Sequence, residues 1–435
     1  MSWLSSVAFT HRRVPLPLLE QMAVRHSDLG GMLTALRAAG YPEAVVLSTC
    51  SRTEVYAVGG NGSEGLLAVI GARSGSDVAD VRACAEMREG HAVIDHLFRV
   101  SAGLDSRMIG EVEINGQVRV AFRGAQAAGM VGPVLSHLFP AALRCATKVH
   151  AETTLGALGR SLGQRAVEIG LASLKDVADP VTMVVGSGRM ATTAVEHLVQ
   201  HGRRPRVAAR NDVHAARLAG PGLVCPMSAL TAGVRQADLL ICATSAAHVV
   251  VTLDHVRDAM AARARPLTVV DLSVPRNVDP AIAEVYGVRL IDLEGMNDGP
   301  ITDPMLAAAL ESGTALTRAA AQRHAETLAS RHWGPVIASL RRRVQEICLQ
   351  RLSETSDPDG SDPDQLTRSA RAAAARLLHG PTVTFRAAVA AGDADALLSL
   401  CESVGVRVSE ILGAEPLEAR QQVVGVRTFD SASVA

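Results

Sequence analysis

Residues 181–185 form an uninterrupted apolar run that ends in Gly186-Ser187-Gly188-Arg189-Met190-Ala191, and a helix-periodic stretch follows over 192–201. A strand, a Gly-x-Gly-x-x-Ala turn and a helix, in that order, restrict the fold more than anything else in the chain. The first glycine permits the tight turn, the second lets backbone approach a pyrophosphate, and the small third residue allows close helix–strand packing. The helix N-terminus then faces phosphate. Strand-like runs recur at 206–209, 238–243, 267–272 and 289–292, which predicts a parallel α/β domain over residues 179–300. Where an NAD enzyme carries an acid, after the second strand, this chain has Ala209-Arg210. Arginine there suits the 2′-phosphate of NADP. Thr244 and Ser245, after the third strand, are cofactor-contact candidates with a weaker signal, being ordinary turn residues.

The N-terminal third has a different rhythm. Residues 5–10 read as strand, 28–39 as helix ending at Gly40, and 44–47 and 55–58 as two short strands. Between those strands sits a polar turn holding Cys50 and Arg52. A thiolate is a strong nucleophile and a neighbouring cation lowers its pKa, so Arg52 either activates Cys50 or grips a carboxylate with its planar fork. A glycine-rich loop at 59–63 precedes helical patterns at 92–102, 118–128 and 135–150. Residues 103–106 break the first of these, and 110–117 lead into the second. Together this predicts an α+β domain over 1–155, joined by a linker helix at 156–178.

From 304 to about 351 the pattern is a long helix rich in Ala, Leu and Arg, followed by an acidic Pro/Gly/Ser linker at 353–364. Helical patterns resume at 365–379, 388–400 and 417–422, and residues 428–435 read as disordered. The run Arg341-Arg342-Arg343 reads as a solvated helix face in preference to a phosphate contact. An all-α domain over 301–430 is expected. A chain of 435 residues exceeds a single core, so a multidomain protein of two to four domains is predicted. A net charge of −1 gives no global field for nucleic acid. Seven scattered cysteines without a CxxC predict reduced thiols in a cytosolic (cytoplasmic) protein, with no metal site. The strand-like residues 3–9 leave no signal peptide to expect, and no apolar run reaches the ~20 residues of a membrane span.

Five segments then occur in a fixed order: LSTCSRTEVY at 47–56, HLFRVSAGLDS at 96–106, GEVEINGQ at 110–117, VDLSVPRNVDP at 270–280 and LLHGPTV at 377–383. Respectively they resemble LSTCNRxExY, HLFRVAAGLDS, GEPQILGQ, IDIAVPRDIDP and LLHxPT of the glutamyl-tRNA reductase family, and the resemblance covers nearly the whole chain. It implies an NADPH-dependent enzyme of tetrapyrrole synthesis that reduces charged glutamyl-tRNA to glutamate-1-semialdehyde through a thioester on Cys50. It implies that His96 takes the thiol proton or protonates the departing ribose hydroxyl, and that Arg52 pairs with the substrate carboxylate. Thr49, Ser51, Ser106, Glu111, Val112, Glu113 and Gln117 are the implied substrate-pocket residues. The α/β domain becomes a Rossmann-type NADP-binding domain, with Gly186, Ser187, Gly188, Arg189, Met190, Ala191, Arg210, Thr244 and Ser245 at the cofactor. The helical tail becomes a dimerisation domain of a homodimer, and an aminotransferase acting on glutamate-1-semialdehyde is an implied partner.

The chain departs from the family pattern at several of these places. Ser51 stands for asparagine, Val112 for proline, Asn115 for leucine and Ala209 for asparagine, and Arg189 replaces a glutamate. Losing that acid favours an anionic cofactor. His150 stands for arginine, and 155–165 lacks a serine-rich pattern. Two other readings follow: a paralogue that reduces a different aminoacyl-tRNA, and a non-catalytic regulator that binds tRNA or a partner.

Overall fold

In the computed structural model, residues 3–25, 27–75, 78–220, 222–296, 303–355, 363–380 and 382–384 are described, with Ser399 and Glu402 singly. β1 (Leu4–Thr10), β2 (Glu43–Ser48), β3 (Arg52–Val58) and β4 (Glu86–Glu89) make an antiparallel sheet of order β2-β3-β1-β4. β1 is buried along its whole length, as a central strand made of small and apolar residues permits. Helices Leu16–Met22, Leu29–Ala38 and Gly62–Ser74 pack on the sheet, as do Glu113–Ala127 and Leu135–Glu152. Helix His91–Ser101 lies against β1 and Leu135–Glu152.

The β2–β3 reversal is tighter than its sequence indicates. Pairing runs as far as Ser48 opposite Thr53, so only Thr49, Cys50 and Ser51 form the turn. Thr49 N–H donates to Arg52 O at 2.8 Å, and Ser51 N–H donates to Thr49 Oγ1 at 3.2 Å. Arg52 therefore belongs to the strand and not to the rim. With a period of two, Arg52, Glu54 and Tyr56 share one face of β3.

β5 (Thr182–Val185), β6 (Arg206–Ala208), β7 (Val224–Cys225), β8 (Leu239–Cys242), β9 (Leu267–Asp271) and β10 (Val288–Ile291) form an all-parallel sheet of order β10-β9-β8-β5-β6-β7. β5, β8 and β9 are buried throughout, as expected of strands covered on both faces. The order reverses between β5 and β8, and the crevice beyond their C-terminal ends is where such a sheet binds ligands. The helix after β5 starts at Arg189, three residues earlier than its periodicity predicts, so Gly188 is itself the N-cap. Between the sheets the chain forms two helices, Leu155–Leu158 and Leu162–Ala172, the second opened by a Ser161/Gln164 capping box.

The third part is the 52-residue helix Pro304–Thr355, about 78 Å long at ~1.5 Å per residue. Its first half contributes Ala309, Ala321, Ala325 and Leu328 to the N-terminal core. Its second half packs on helix Pro363–Leu377. Arg341, Arg342 and Arg343 are all exposed. Apart from Ser399, the helices expected at 388–400 and 417–422 and the tail at 428–435 lie outside the described residues. Among the described residues, no helix is long and apolar enough to cross a membrane.

The two sheet domains dock on each other. Arg276 grips Glu20 through Nε (3.0 Å) and Nη2 (2.9 Å), and its own N–H donates to the same carboxylate at 2.6 Å. Leu16 N–H donates to Glu294 Oε1 at 2.8 Å, and Arg107 Nη1 donates to Leu293 O at 2.5 Å. Leu16, Met108 and Cys50 pack into a cluster with Leu272, Leu293 and Met296 of the parallel-sheet domain.

Candidate active site

A cavity of about 960 Å³ lies where the two domains meet. One wall is the β5 turn and its neighbours: Gly186, Ser187, Gly188, Arg189 and Met190, with Arg210, Thr244 and Ser245. The opposite wall comes from the N-terminal domain and includes Leu47, Ser48, Glu113, Gly116 and Gln117. Ala191 is fully buried behind the first wall. Gly186 has φ +126°, and a Cβ there would lie 2.1 Å from Ala243 O. Gly188 faces open space where its Cβ would be, so a ligand can reach the backbone. The 12-residue helix behind it points its N-terminus at that space. These features fit a dinucleotide, and Arg189 and Arg210 both suit its phosphates. Thr244 Oγ1 donates to Asn277 Oδ1, and the buried Asn277 amide donates to Ala246 O (2.9 Å) and His248 O (3.0 Å), pinning the loop that lines the cleft. Asn277 is held in turn by Asp271, which accepts its N–H at 2.9 Å.

The residues predicted around the thiol gather behind β2 and β3, and none of Cys50, His96, Arg52, Ser106 or Glu111 lines the cavity. Leu47 and Ser48 on its wall run directly into Thr49 and Cys50, and Glu113 follows Glu111 by two residues, so the two regions adjoin. Cys50 is partly exposed as a residue. Burial, followed by the charge of Glu111, nevertheless pushes its thiol up to about 12, with Arg107 acting in the opposite direction. Ser106 is buried, whereas Val112 is half-exposed at the start of helix Glu113–Ala127. Thr193 Oγ1 donates to Glu113 Oε1 at 3.3 Å across the domain junction.

Arg52 is paired within the protein, with Nε left without a hydrogen-bond partner among the described residues. It is 1% exposed, its Nη1 donates to Glu54 Oε1 at 2.8 Å, and its Nη2 donates to Asp105 O. Glu54 also accepts from Tyr56 OH. The carboxylate that a buried guanidinium needs is thus supplied by the protein itself. Arg52 gives no independent reason to assign an acidic amino acid to the substrate.

His96 lies between two carboxylates, with Nε2 3.2 Å from Glu54 Oε1 and Nδ1 3.7 Å from Asp105 Oδ2. Burial works against its charge, but Glu54 and Asp105 outweigh burial and raise its pKa. Burial would likewise raise Glu54, yet His96 and Arg52 hold it well below the usual carboxylate range. Hydrogen bonds from His96 and Arg99 do the same for Asp105 against burial. With each ring nitrogen facing a carboxylate that favours its protonated form, His96 is better placed to donate a proton or stabilise an anion than to take a thiol proton.

Several residues of this site are not singled out by motif reasoning. Glu54 was legible in the alternation Arg52-x-Glu54-x-Tyr56, which marks one strand face. Asp105 lies inside a quoted motif as its turn residue. Arg107, 8% exposed beside the thiol, and His11, whose N–H donates to Ser51 O at 2.9 Å, are brought in by tertiary contacts alone.

Comparison with known proteins agrees with the three-part architecture. Residues 7–153 match the glutamyl-tRNAGlu reductase N-terminal domain, 168–298 the shikimate/quinate 5-dehydrogenase family, and 315–404 the glutamyl-tRNAGlu reductase dimerisation domain. A glutamyl-tRNA reductase of Salinispora tropica is 34% identical over 399 residues, 87% of each chain. One of Salinispora arenicola is 34% identical over 418 residues, 90% of each chain. The solved glutamyl-tRNA reductase of Methanopyrus kandleri aligns over 98% of both chains at 24% identity, with a TM-score of 0.44. On the strength of the sequence matches, this chain belongs to the glutamyl-tRNA reductase family and is an oxidoreductase.

Proposed function

We propose that the protein is a homodimeric, NADPH-dependent reductase that converts glutamyl-tRNA to glutamate-1-semialdehyde for tetrapyrrole synthesis, and passes that aldehyde to an aminotransferase. The observation that carries the reading is the position of Cys50. Its side chain packs into the core cluster of the dinucleotide-binding domain, at the end of the strand that walls the cofactor cavity. A nucleophile placed there serves a reaction that needs both domains.

In the first step Cys50 Sγ attacks the ester carbonyl carbon. The S–C bond forms, the C–O bond to the ribose breaks, and the ribose oxygen takes a proton. The ester is already activated, so no metal or ATP is required. His96, whose protonated form Glu54 and Asp105 favour, helps stabilise the negative charge that develops on oxygen. Arg52 and Glu54 are buried on β3, the strand that follows the Cys50 turn. The cleft residues Gly186, Gly188 and Arg210 would hold NADPH, which when bound would supply hydride to the thioester carbon, the C–S bond breaking to leave the aldehyde and the Cys50 thiolate. Arg210, with no acid beside it on the strand end, receives the 2′-phosphate. The glutamyl identity of the substrate rests on the named relatives.

The test combines purified protein, NADPH and glutamyl-tRNA, and reads NADPH consumption together with trapping of the aldehyde. Turnover that vanishes in Cys50→Ala supports the reading. Turnover surviving that substitution overturns the thioester route. Turnover only with other charged tRNAs overturns the glutamyl assignment.

A further inference from the structure

Gly116 lies near the start of helix Glu113–Ala127, half-buried, and its φ is outside the left-handed region. Glycine is a poorer helix former than alanine, and the backbone at this position does not call for it. A neighbour does. A Cβ at Gly116 would lie 3.2 Å from Nη1, 3.6 Å from Nη2 and 3.7 Å from Cζ of Arg189, the three nearest atoms it would meet outside its own helix. The guanidinium of Arg189 therefore rests on the bare backbone of Gly116, across the junction between the two sheet domains.

We propose that Gly116 is a positioning residue for the cofactor: its missing side chain gives the Arg189 guanidinium a seat on helix Glu113–Ala127, from which it meets the pyrophosphate of the dinucleotide. The N-terminal domain thereby takes part in cofactor binding. This inference rests on the reading of the cleft as an NADPH site.

Arg189 opens the helix Arg189–Gln200, next to the N-cap Gly188 whose Cβ side is open space. Arg189 and Gly116 both line the cavity. The helix that carries Arg189 is wedged from behind: a Cβ at Gly163 would lie 2.6 Å from Met190 O and 3.0 Å from Ala194 N. On its near side Thr193 Oγ1 donates to Glu113 Oε1 at 3.3 Å. Arg189 and Thr193, at i and i+4, share one face of their helix, and Glu113 and Gly116, at i and i+3, share one face of the other. The two helices thus meet at two points, which sets the register between them. A larger residue at 116 must displace the guanidinium, the movable end of a flexible side chain, before it displaces either helix.

The charges suit an anion at this seat. The cavity is lined by three arginines, Arg25, Arg189 and Arg210, against one carboxylate, Glu113. The Arg189 guanidinium makes no hydrogen bond and no ion pair among the described residues, so its N–H donors are free for a ligand. Burial raises the Glu113 carboxyl and the Arg189 charge opposes that rise. Glu113 therefore draws the guanidinium toward its own helix without pairing with it. A guanidinium presents parallel N–H groups to a phosphate, and a seat that holds it in place lessens the side-chain ordering that binding would otherwise require.

The test uses the full-length protein with Gly116→Ala and Gly116→Leu, each alone and combined with Arg189→Gln. It reads the Kd for NADPH and for NADH from the fluorescence of the reduced nicotinamide, and Tm alongside. Gly116→Leu should raise both Kd values by the same factor, about tenfold or more, the worth of a charge-assisted hydrogen bond. Gly116→Ala should raise them by a smaller factor, with no fall in Tm, because alanine is the better helix former. In the Arg189→Gln background either Gly116 variant should change Kd by less than about twofold. A loss that persists in full in that background marks a packing role for Gly116 and overturns the proposal. Unchanged binding in the Gly116 variants, or in Arg189→Gln alone, also overturns it. Weakening of NADPH but not NADH would move Arg189 to the 2′-phosphate and overturn its placement at the pyrophosphate. If Gly116→Leu does not fold, Gly116→Ala decides by the same comparison. A wild type that binds neither nucleotide defeats the cofactor reading and this proposal with it, an outcome distinct from tight binding that ignores position 116.

Discussion

Glu54→Gln preserves shape while removing one buried charge, and its cost can be worked from the contacts. Glu54 is fully buried and receives Arg52 Nη1 at 2.8 Å, Tyr56 OH, and His96 Nε2 at 3.2 Å. Removing one partner of a buried ion pair leaves the other charge uncompensated and costs about 3–5 kcal/mol. For a cooperative unit of this size, each kcal/mol lowers Tm by about 2–4 °C, so a fall of about 6–20 °C is expected in differential scanning calorimetry. The pH dependence gives a second readout. His96 is raised above 6.5, so its contribution is fully present below 6.5 and lost as pH rises through the folded value. Glu54 is depressed below 4.5, so its contribution is present above 4.5 and lost as pH falls toward the folded value. Wild-type stability from this cluster is therefore greatest between about 4.5 and 6.5. Glu54→Gln should flatten both limbs, and the paired replacement Arg52→Met with Glu54→Met should recover much of the loss. A cost below about 1 kcal/mol, or an unchanged pH profile, would refute the placement of Glu54 as the shared anion.

Other consequences are checked more briefly. Arg107→Met should move the pH midpoint for Cys50 alkylation upward by about one unit, slowing alkylation about tenfold at fixed pH; no shift would remove Arg107 from the surroundings of the thiol. Arg210→Gln should raise KM for NADPH about tenfold or more, the worth of a charge-assisted hydrogen bond, and leave KM for NADH unchanged. Equal effects on both cofactors would place Arg210 away from the 2′-phosphate.

The parallel sheet was legible because buried parallel strands are continuous apolar runs, and because Gly186 and Gly188 carry a backbone requirement that sequence displays directly. The Cys50 turn was legible as a motif, but its strand boundary was not. Arg52 reads as a rim residue until pairing of Ser48 with Thr53 shows that the strand has already begun. Two-residue β7 and four-residue β4 are too short, and too poor in apolar alternation, to stand out from their surroundings. The charge relations at the site were the least visible part. Arg107 meets Leu293 across 186 positions, and Arg276 meets Glu20 across 256, so no local pattern announces either. His96 was visible as a candidate, yet its protonation state depends on Glu54 and Asp105 and emerges only when three chain segments converge.

The claim on which everything else depends is that Cys50 carries the acyl group. Mixing the protein with glutamyl-tRNA in the absence of NADPH, quenching in acid and mapping peptides by mass spectrometry tests it directly. The account predicts a glutamyl adduct on the Cys50 peptide that disappears when NADPH is added before the quench. An adduct on another of the seven cysteines, or reduction proceeding with no adduct on Cys50 at any time, would contradict it.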